Sequence, residues 1–384
     1  MADRSSEFVG FSRLEIENWR NFKSAAVELS SRAFLVGPNA SGKSNLLDVF
    51  KFLRDLASEG GGLAKAISDR GGVSSIRNLA ARKQPAVHVI VEAIDSDRVH
   101  WRYKLSFKQD SQRRPTIDQE ELWKGETEIF TRPNQDDLTD PQQLTQTHVE
   151  QVGKNRQFRA LVDLFKSVRY LHVVPQLIRD PDRYRGRRED PFGWDILERI
   201  ASTPERTRNA WLSRIQQKLR IAVPQMEGLE LFRDARGVPH LRSKYQHWRP
   251  QGAWQTEEVF SDGTLRLIGL LWSMLERSGP LLLEEPELSL NPHVVRHIPA
   301  MLYEMQKRSG RQVIVSTHSA DLLSEGGIGL DEVLLLEPSS EGTNIRPASS
   351  VRDARLLLKE GHAISEIVIP RMRLKNAEQL TLEF

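Results

Sequence analysis

The stretch GPNASGKS, Gly37 to Ser44, constrains this chain more than any other. It fits G-x-x-x-x-G-K-[ST], a pattern whose mechanics require an apolar strand before it and a helix after it. Both are written in the sequence. AFLVG is a short apolar run entering the glycine-rich turn, and SNLLDVFKFLRDLA follows with Leu46, Leu47, Val49, Phe50, Phe52, Leu53 and Leu56 at helical spacing. The glycines let backbone N–H groups close around a phosphate. The helix presents the positive end of its dipole to the same anion. Gly37, Pro38, Asn39, Ala40, Ser41, Gly42, Lys43 and Ser44 are therefore expected to cradle a nucleotide. Lys43 is expected to reach the β- and γ-phosphates of ATP, and the Ser44 hydroxyl to ligate Mg2+.

A phosphate loop of this kind needs a second acidic element at the end of a neighbouring buried strand. LLLEEPELSLNP, residues 281 to 292, supplies one. Successive residues of a strand point to opposite sides, so Glu284 and Glu285 are expected to divide the work. One faces the Mg2+ shell and the other faces the attacking water. The plain alternative is that both only favour the dipole of a following helix start. VIVSTHSADLL puts His318 just beyond another apolar strand, on the carboxyl edge where α/β sheets bind ligands. There it is placed to donate to the γ-phosphate or to hold the water. FSDGTLRL sets Ser261, Gly263 and Thr264 at a further helix start, either as an ordinary N-cap or as a second anion cradle.

The rest of the chain sorts around these motifs. FSRLEIENW alternates like a strand with one wet face, and PAVHVIVEAI and RVHWRYKLSF read as an antiparallel hairpin. From about residue 109 to 254 the sequence turns polar, arginine-rich and punctuated by prolines. WDILERIASTPERTRNAWLSRIQQKLRIAV reads there as two helices broken near Pro204. From 255 onward, strands alternate with helices, which argues for a largely parallel sheet. The expected layout is a head from 1–108 and 255–384, with a mixed, largely helical insertion at 109–254. The expected class is α/β: a mostly parallel sheet plus an antiparallel β lobe.

At 384 residues, 39% hydrophobic and 28% charged, the chain has material for a sizeable core. No run approaches the roughly 18 consecutive apolar residues of a membrane helix, and the N-terminus has no apolar stretch resembling a signal peptide. Cysteine is absent, which removes thiol catalysis and fits a cytoplasmic protein. A net charge of +3 is too mild to imply nucleic acid by itself. RDPDRYRGRRED concentrates Arg179, Arg183, Arg185, Arg187 and Arg188, either as a solvated loop or as a phosphate-contacting one with Tyr184 for stacking.

The order phosphate loop, inserted region, Ser-Asp-Gly-Thr helix, strand ending Glu-Glu-Pro-Glu, then strand plus Thr-His-Ser resembles the ABC-type ATPase heads of the RecF, SMC and OLD class. More closely, it resembles the stand-alone prokaryotic AAA family ATPases of two-gene anti-phage operons. The resemblance covers about residues 8–108 and 255–365. It implies a Walker A motif at Gly37–Ser44, a Walker B strand with Glu284 toward the metal, and Glu285 as the base that polarises water. It implies a signature motif at Ser261–Thr264, a D-loop at Ser289–Pro292 and a switch histidine at His318, with Arg20 near the nucleotide. It also implies a homodimer or higher oligomer in which one copy's signature motif completes the other's ATP site. A separate effector protein, of nuclease or toxin type, and DNA are the partners it brings to mind. The departures are a Glu at the metal position where many such heads have Asp, and SDGT in place of the transporter-like LSGGQ. Gln84 stands near where a Q-loop glutamine falls, with nothing local to single it out. The stretch after His318 is too short and too poor in clustered carboxylates for a TOPRIM nuclease. A RecF-like DNA clamp and a slowly hydrolysing scaffold are the competing functions.

Overall fold

The computed structural model describes residues 8–81, 85–180, 192–246, 253–276, 279–324 and 326–372. β1 (Phe8–Trp19) and β2 (Phe22–Glu28) form a hairpin, β3 (Arg32–Val36) leads into the phosphate loop, and helix α1 (Lys43–Ala57) leaves it. β4 (Val87–Asp95) and β5 (His100–Gln109) are the expected hairpin. β6 (Pro115–Lys124) and β7 (Thr127–Arg132) extend them into an antiparallel sheet of order β2-β1-β4-β5-β6-β7. A short strand, β8 (Arg169–Leu171), comes next, then a three-stranded sheet of β9 (Glu230–Arg233), β10 (Pro239–Tyr245) and β11 (Ala253–Thr256). β12 (Leu281–Glu284), β13 (Val313–Thr317), β14 (Val333–Ser339) and β15 (Gly342–Pro347) complete the second six-stranded sheet, ordered β15-β14-β3-β13-β12-β8. Its neighbours run parallel from β14 to β8, and the edge hairpin β14–β15 is antiparallel.

Strand periodicity explains the layering. Leu35, Leu282, Ile314, Leu334 and Leu336 face one side of the parallel sheet and share a core with α1 and the antiparallel sheet. Phe34, Val36, Leu281, Leu283, Val313, Val315, Val333 and Leu335 face the other side. They pack with the helices Ile196–Ser202, Glu205–Ala222, Asp262–Leu275 and Pro292–Ser309. β3 and β13 are buried along their whole length because both faces are covered. The two helices meeting at Pro204 fall where the sequence puts them.

The stretch expected as an insertion is threaded through both large sheets. β6 and β7 continue the antiparallel sheet, and β8 forms the outer edge of the parallel one. The polar alternation of PTIDQEELWK and the brevity of β8 hide this from a reading by composition. Register then sets the site. Glu284 pairs with Ser316, Ser316 with Leu35, and Thr317 with Val36, so β12, β13 and β3 end level at one carboxyl edge. No helix of the described residues is long and apolar enough to cross a membrane.

Candidate active site

At that edge the phosphate loop is held by its own backbone and by one asparagine. Gly42 caps α1 at φ 95° and Ala40 sits at φ 62°, both left-handed. A Cβ on Gly37 would lie 2.7 Å from the Leu336 carbonyl oxygen, so only glycine lets the loop pass β14. Asn21 donates to the Ser41 carbonyl (3.0 Å) and to Thr343 Oγ1 (2.7 Å), and accepts from Asn45 Nδ2 (2.7 Å). Its side chain fills the space a Cβ on Gly42 would need. The first turn of α1 carries no acidic residue, which leaves its dipole free for an outside anion. Buried Lys43 curls back, its Nζ 2.8 Å from the Gly37 carbonyl oxygen and 3.1 Å from that of Pro38. Burial pulls its pKa down, and the charges of Glu285, Glu287 and Glu284 partly oppose that. The Ser41 hydroxyl is buried without a partner.

The two glutamate side chains point to different partners at the end of β12. β12 ends at Glu284, and Glu285 sits at φ 44° in a left-handed turn, its N–H still donating to the Ser316 carbonyl at 3.0 Å. The carboxylates therefore part through the turn, and strand alternation is not needed. Glu284 Oε1 accepts from the Ser44 hydroxyl and Oε2 from the Tyr170 hydroxyl. Glu285 Oε1 lies 3.1 Å from His318 Nδ1. Glu287 is buried and holds the histidine segment, accepting from Thr317 Oγ1 at 2.6 Å and from the His318 N–H at 3.4 Å. Burial raises its pKa above the usual carboxylate range.

The donors fit Mg2+. A hydroxyl and a carboxylate, both hard oxygen ligands, already meet at Ser44 and Glu284. Among the described residues no group of three or more His, Asp or Glu could hold a metal alone. This suits Mg2+, which takes one or two protein ligands and completes its shell with water and substrate phosphates.

Ser261 is the N-cap of the helix Asp262–Leu275; its Oγ accepts from the Thr264 N–H at 3.2 Å. Gly263 is packed on the turn at Ser289, where a Cβ would lie 2.6 Å from the Ser289 carbonyl oxygen, with Ser289 itself at φ 59°. Ser261 is exposed. Among the described residues the side-chain hydrogen bonds of Ser261 and Thr264 run between these two, and none reaches the phosphate loop. Asp262 is gripped by Arg179 (2.6 Å) and Gln176 (3.2 Å). Arg20 is committed to Asp48 at 3.0 Å, which Arg70 also holds, so it braces α1. Gln84 and the arginines at 183, 185, 187 and 188 with Tyr184 lie outside the described residues.

Asn21, Tyr170 and His172 contact this site without any motif to announce them, and Glu287, inside the Glu-Glu-Pro-Glu motif, had no role assigned from the sequence. Asn21 and Glu287 stand next to residues already read, in NWRNF and EEPE, and proximity was the available signal.

Over residues 32–325 the sequence matches the family described as "AAA domain, putative AbiEii toxin, Type IV TA system". No curated protein matches by sequence. Among solved structures the chain is similar to the Smc head domain of Pyrococcus furiosus with an extended coiled coil, bound to the C-terminal domain of ScpA. The TM-score is 0.52 at 12% identity, over 91% of this chain and 99% of that one. It is also similar to an SmcHead bound to the C-winged helix domain of ScpA, with TM-score 0.52 and 14% identity over 88% and 97%. A third is the Smc head with coiled coil and joint of Pyrococcus yayanosii, with TM-score 0.50 and 13% identity over 92% and 99%. At these identities the likeness is one of fold.

Proposed function

The chain belongs to this AAA-domain family, a P-loop ATPase of the ABC type with the fold of an SMC head, and from that premise we propose that it binds and hydrolyses ATP as a switch. The observation that carries the reading is the convergence of Lys43, Ser44, Glu284, Glu285 and His318 at one sheet edge. Residues 37–44 cradle the phosphates through backbone N–H groups and the α1 dipole. Lys43 exchanges its two carbonyl partners for β- and γ-phosphate oxygens. Ser44 and Glu284 would hold Mg2+, which when bound would supply positive charge against the β- and γ-phosphates. Glu285 takes the proton of the attacking water, and His318 fixes that carboxylate 3.1 Å away.

Ser261, exposed at its helix start, and half-buried Gly263 make no hydrogen bond to their own phosphate loop among the described residues. That supports a head-to-tail homodimer in which they close the partner copy's nucleotide site. ATP then joins the copies and hydrolysis parts them. The family description names a putative toxin, and two of the Smc heads the chain resembles were solved bound to a domain of another protein. The bound Smc heads support a separate protein partner as the switch's output, and in this proposal that partner is an effector in anti-phage defence. Binding of a fluorescent ATP analogue tests the foundation. Lys43→Ala should lose it; retention at wild-type affinity overturns the assignment of the phosphate site.

A further inference from the structure

We propose that Tyr170 is a positioning residue for the metal-binding carboxylate of Glu284. The proposal rests on the ATPase reading above and adds a residue from a segment that no motif marks. The Ser44 and Tyr170 hydroxyls each take one oxygen of the Glu284 carboxylate. With both oxygens engaged, the carboxylate plane cannot rotate without breaking a bond. This matters more for a glutamate than for an aspartate, because the extra methylene adds a rotor that must be frozen before the carboxylate can serve a metal. The Tyr170 hydroxyl freezes it in advance.

The tyrosine is itself held on two sides. It lies in β8, whose parallel pairing sets Tyr170 beside Leu282, two residues before Glu284. The Lys51 ammonium sits 4.1 Å from the centre of its ring. Lys51 is seven residues after Ser44 on α1, hence on the same face of that helix. One helix face thus supplies both the hydroxyl on Oε1 and the cation that fixes the ring behind Oε2. His172, one residue past the end of β8, brings Nδ1 to 3.2 Å from the Glu284 carbonyl oxygen. The segment that reads as polar insertion thereby sends a strand to the edge of the parallel sheet and orients its metal ligand.

The test measures metal binding directly, on the full chain with a non-hydrolysable ATP analogue, using Mn2+ and its paramagnetic resonance spectrum. Tyr170→Phe keeps the ring under Lys51 and removes only the hydroxyl. It should weaken Mn2+ binding about tenfold or more, the usual cost of losing an outer-shell partner. Nucleotide affinity in EDTA and the thermal midpoint should stay at wild-type values. Tyr170→Leu should show the same metal defect with a lower midpoint. Mn2+ binding by Tyr170→Phe within about twofold of wild type, well short of that usual cost, overturns the proposal. Glu284→Gln separates the two levels. If it loses Mn2+ and Tyr170→Phe does not, Tyr170 alone is misassigned. If Glu284→Gln also binds Mn2+ like wild type, the metal reading falls and this proposal with it.

Discussion

Arg132→Met is the perturbation that asks where the ATPase head ends. Arg132 is fully buried between β7 and the loops that follow it. It donates to Asp137 (2.7 Å), to Glu120 (3.0 Å), and to the carbonyls of Gln143 and Gln146 (both 2.8 Å). Glu120 also accepts from the Tyr103 hydroxyl and the His148 N–H, both at 3.0 Å. Methionine replaces the volume and removes the charge, stranding two buried carboxylates. Breaking a buried pair this way costs about 3–5 kcal/mol. Burial already raises the pKa of Glu120, so uptake of a proton there limits the loss toward the lower figure. Against a total stability of about 5–15 kcal/mol, that is a large fraction. The same region reaches the core through Glu150, which accepts from the Leu63 N–H at 2.7 Å. We therefore expect urea unfolding, followed by tryptophan fluorescence, to remain one transition with the whole head less stable. Adding Glu120→Gln should recover part of the loss. A change below about 1 kcal/mol, where buried pairs normally cost several, would refute the reasoning. So would a separate early transition that leaves nucleotide binding intact, since the stretch after residue 109 would then be an independent insertion.

Two further outcomes follow from local geometry. Gly263→Ala puts a methyl 2.6 Å from the Ser289 carbonyl oxygen, a backbone atom that must be displaced. Overpacking of this kind costs about 1–3 kcal/mol, and light scattering with ATP should show a folded monomer that no longer dimerises. Dimerisation at wild-type ATP concentration would remove Gly263 from the interface. His148 is buried, and desolvation lowers its pKa from an ordinary 6.5 to about 4. Protons then bind the unfolded chain first, so this contribution is complete above pH 6.5 and is lost as pH falls toward 4. It amounts to about 3 kcal/mol at most. Denaturation of His148→Gln across that range should show a shallower slope; the wild-type slope would exclude His148 as its source.

The chemistry was legible where it is local. Lys43 and Ser44 lie in one contiguous loop, and the glutamates and His318 stand at the ends of apolar runs, so period and punctuation sufficed. Tyr170 was not legible because β8 has three residues, too few for any pattern, and its partner lies 114 positions away. Asn21 and Glu287 act by bonding backbone and hydroxyl groups that only the fold brings near. β6 and β7 escaped because their exposed faces are polar, so composition hid the pairing. The turn at Glu285 escaped for another reason: a left-handed non-glycine residue leaves no trace in sequence period.

The central claim is that Glu285 is the base of an ATP-hydrolysing site, and Glu285→Gln tests it most directly. Steady-state turnover and equilibrium ATP binding should be measured on the same Mg2+-loaded preparations of wild type and variant. Glutamine keeps the shape and loses the base. The account predicts ATP binding at wild-type affinity with turnover reduced about a hundredfold or more, the scale of a lost general base. Turnover near wild type, with binding intact, would contradict it.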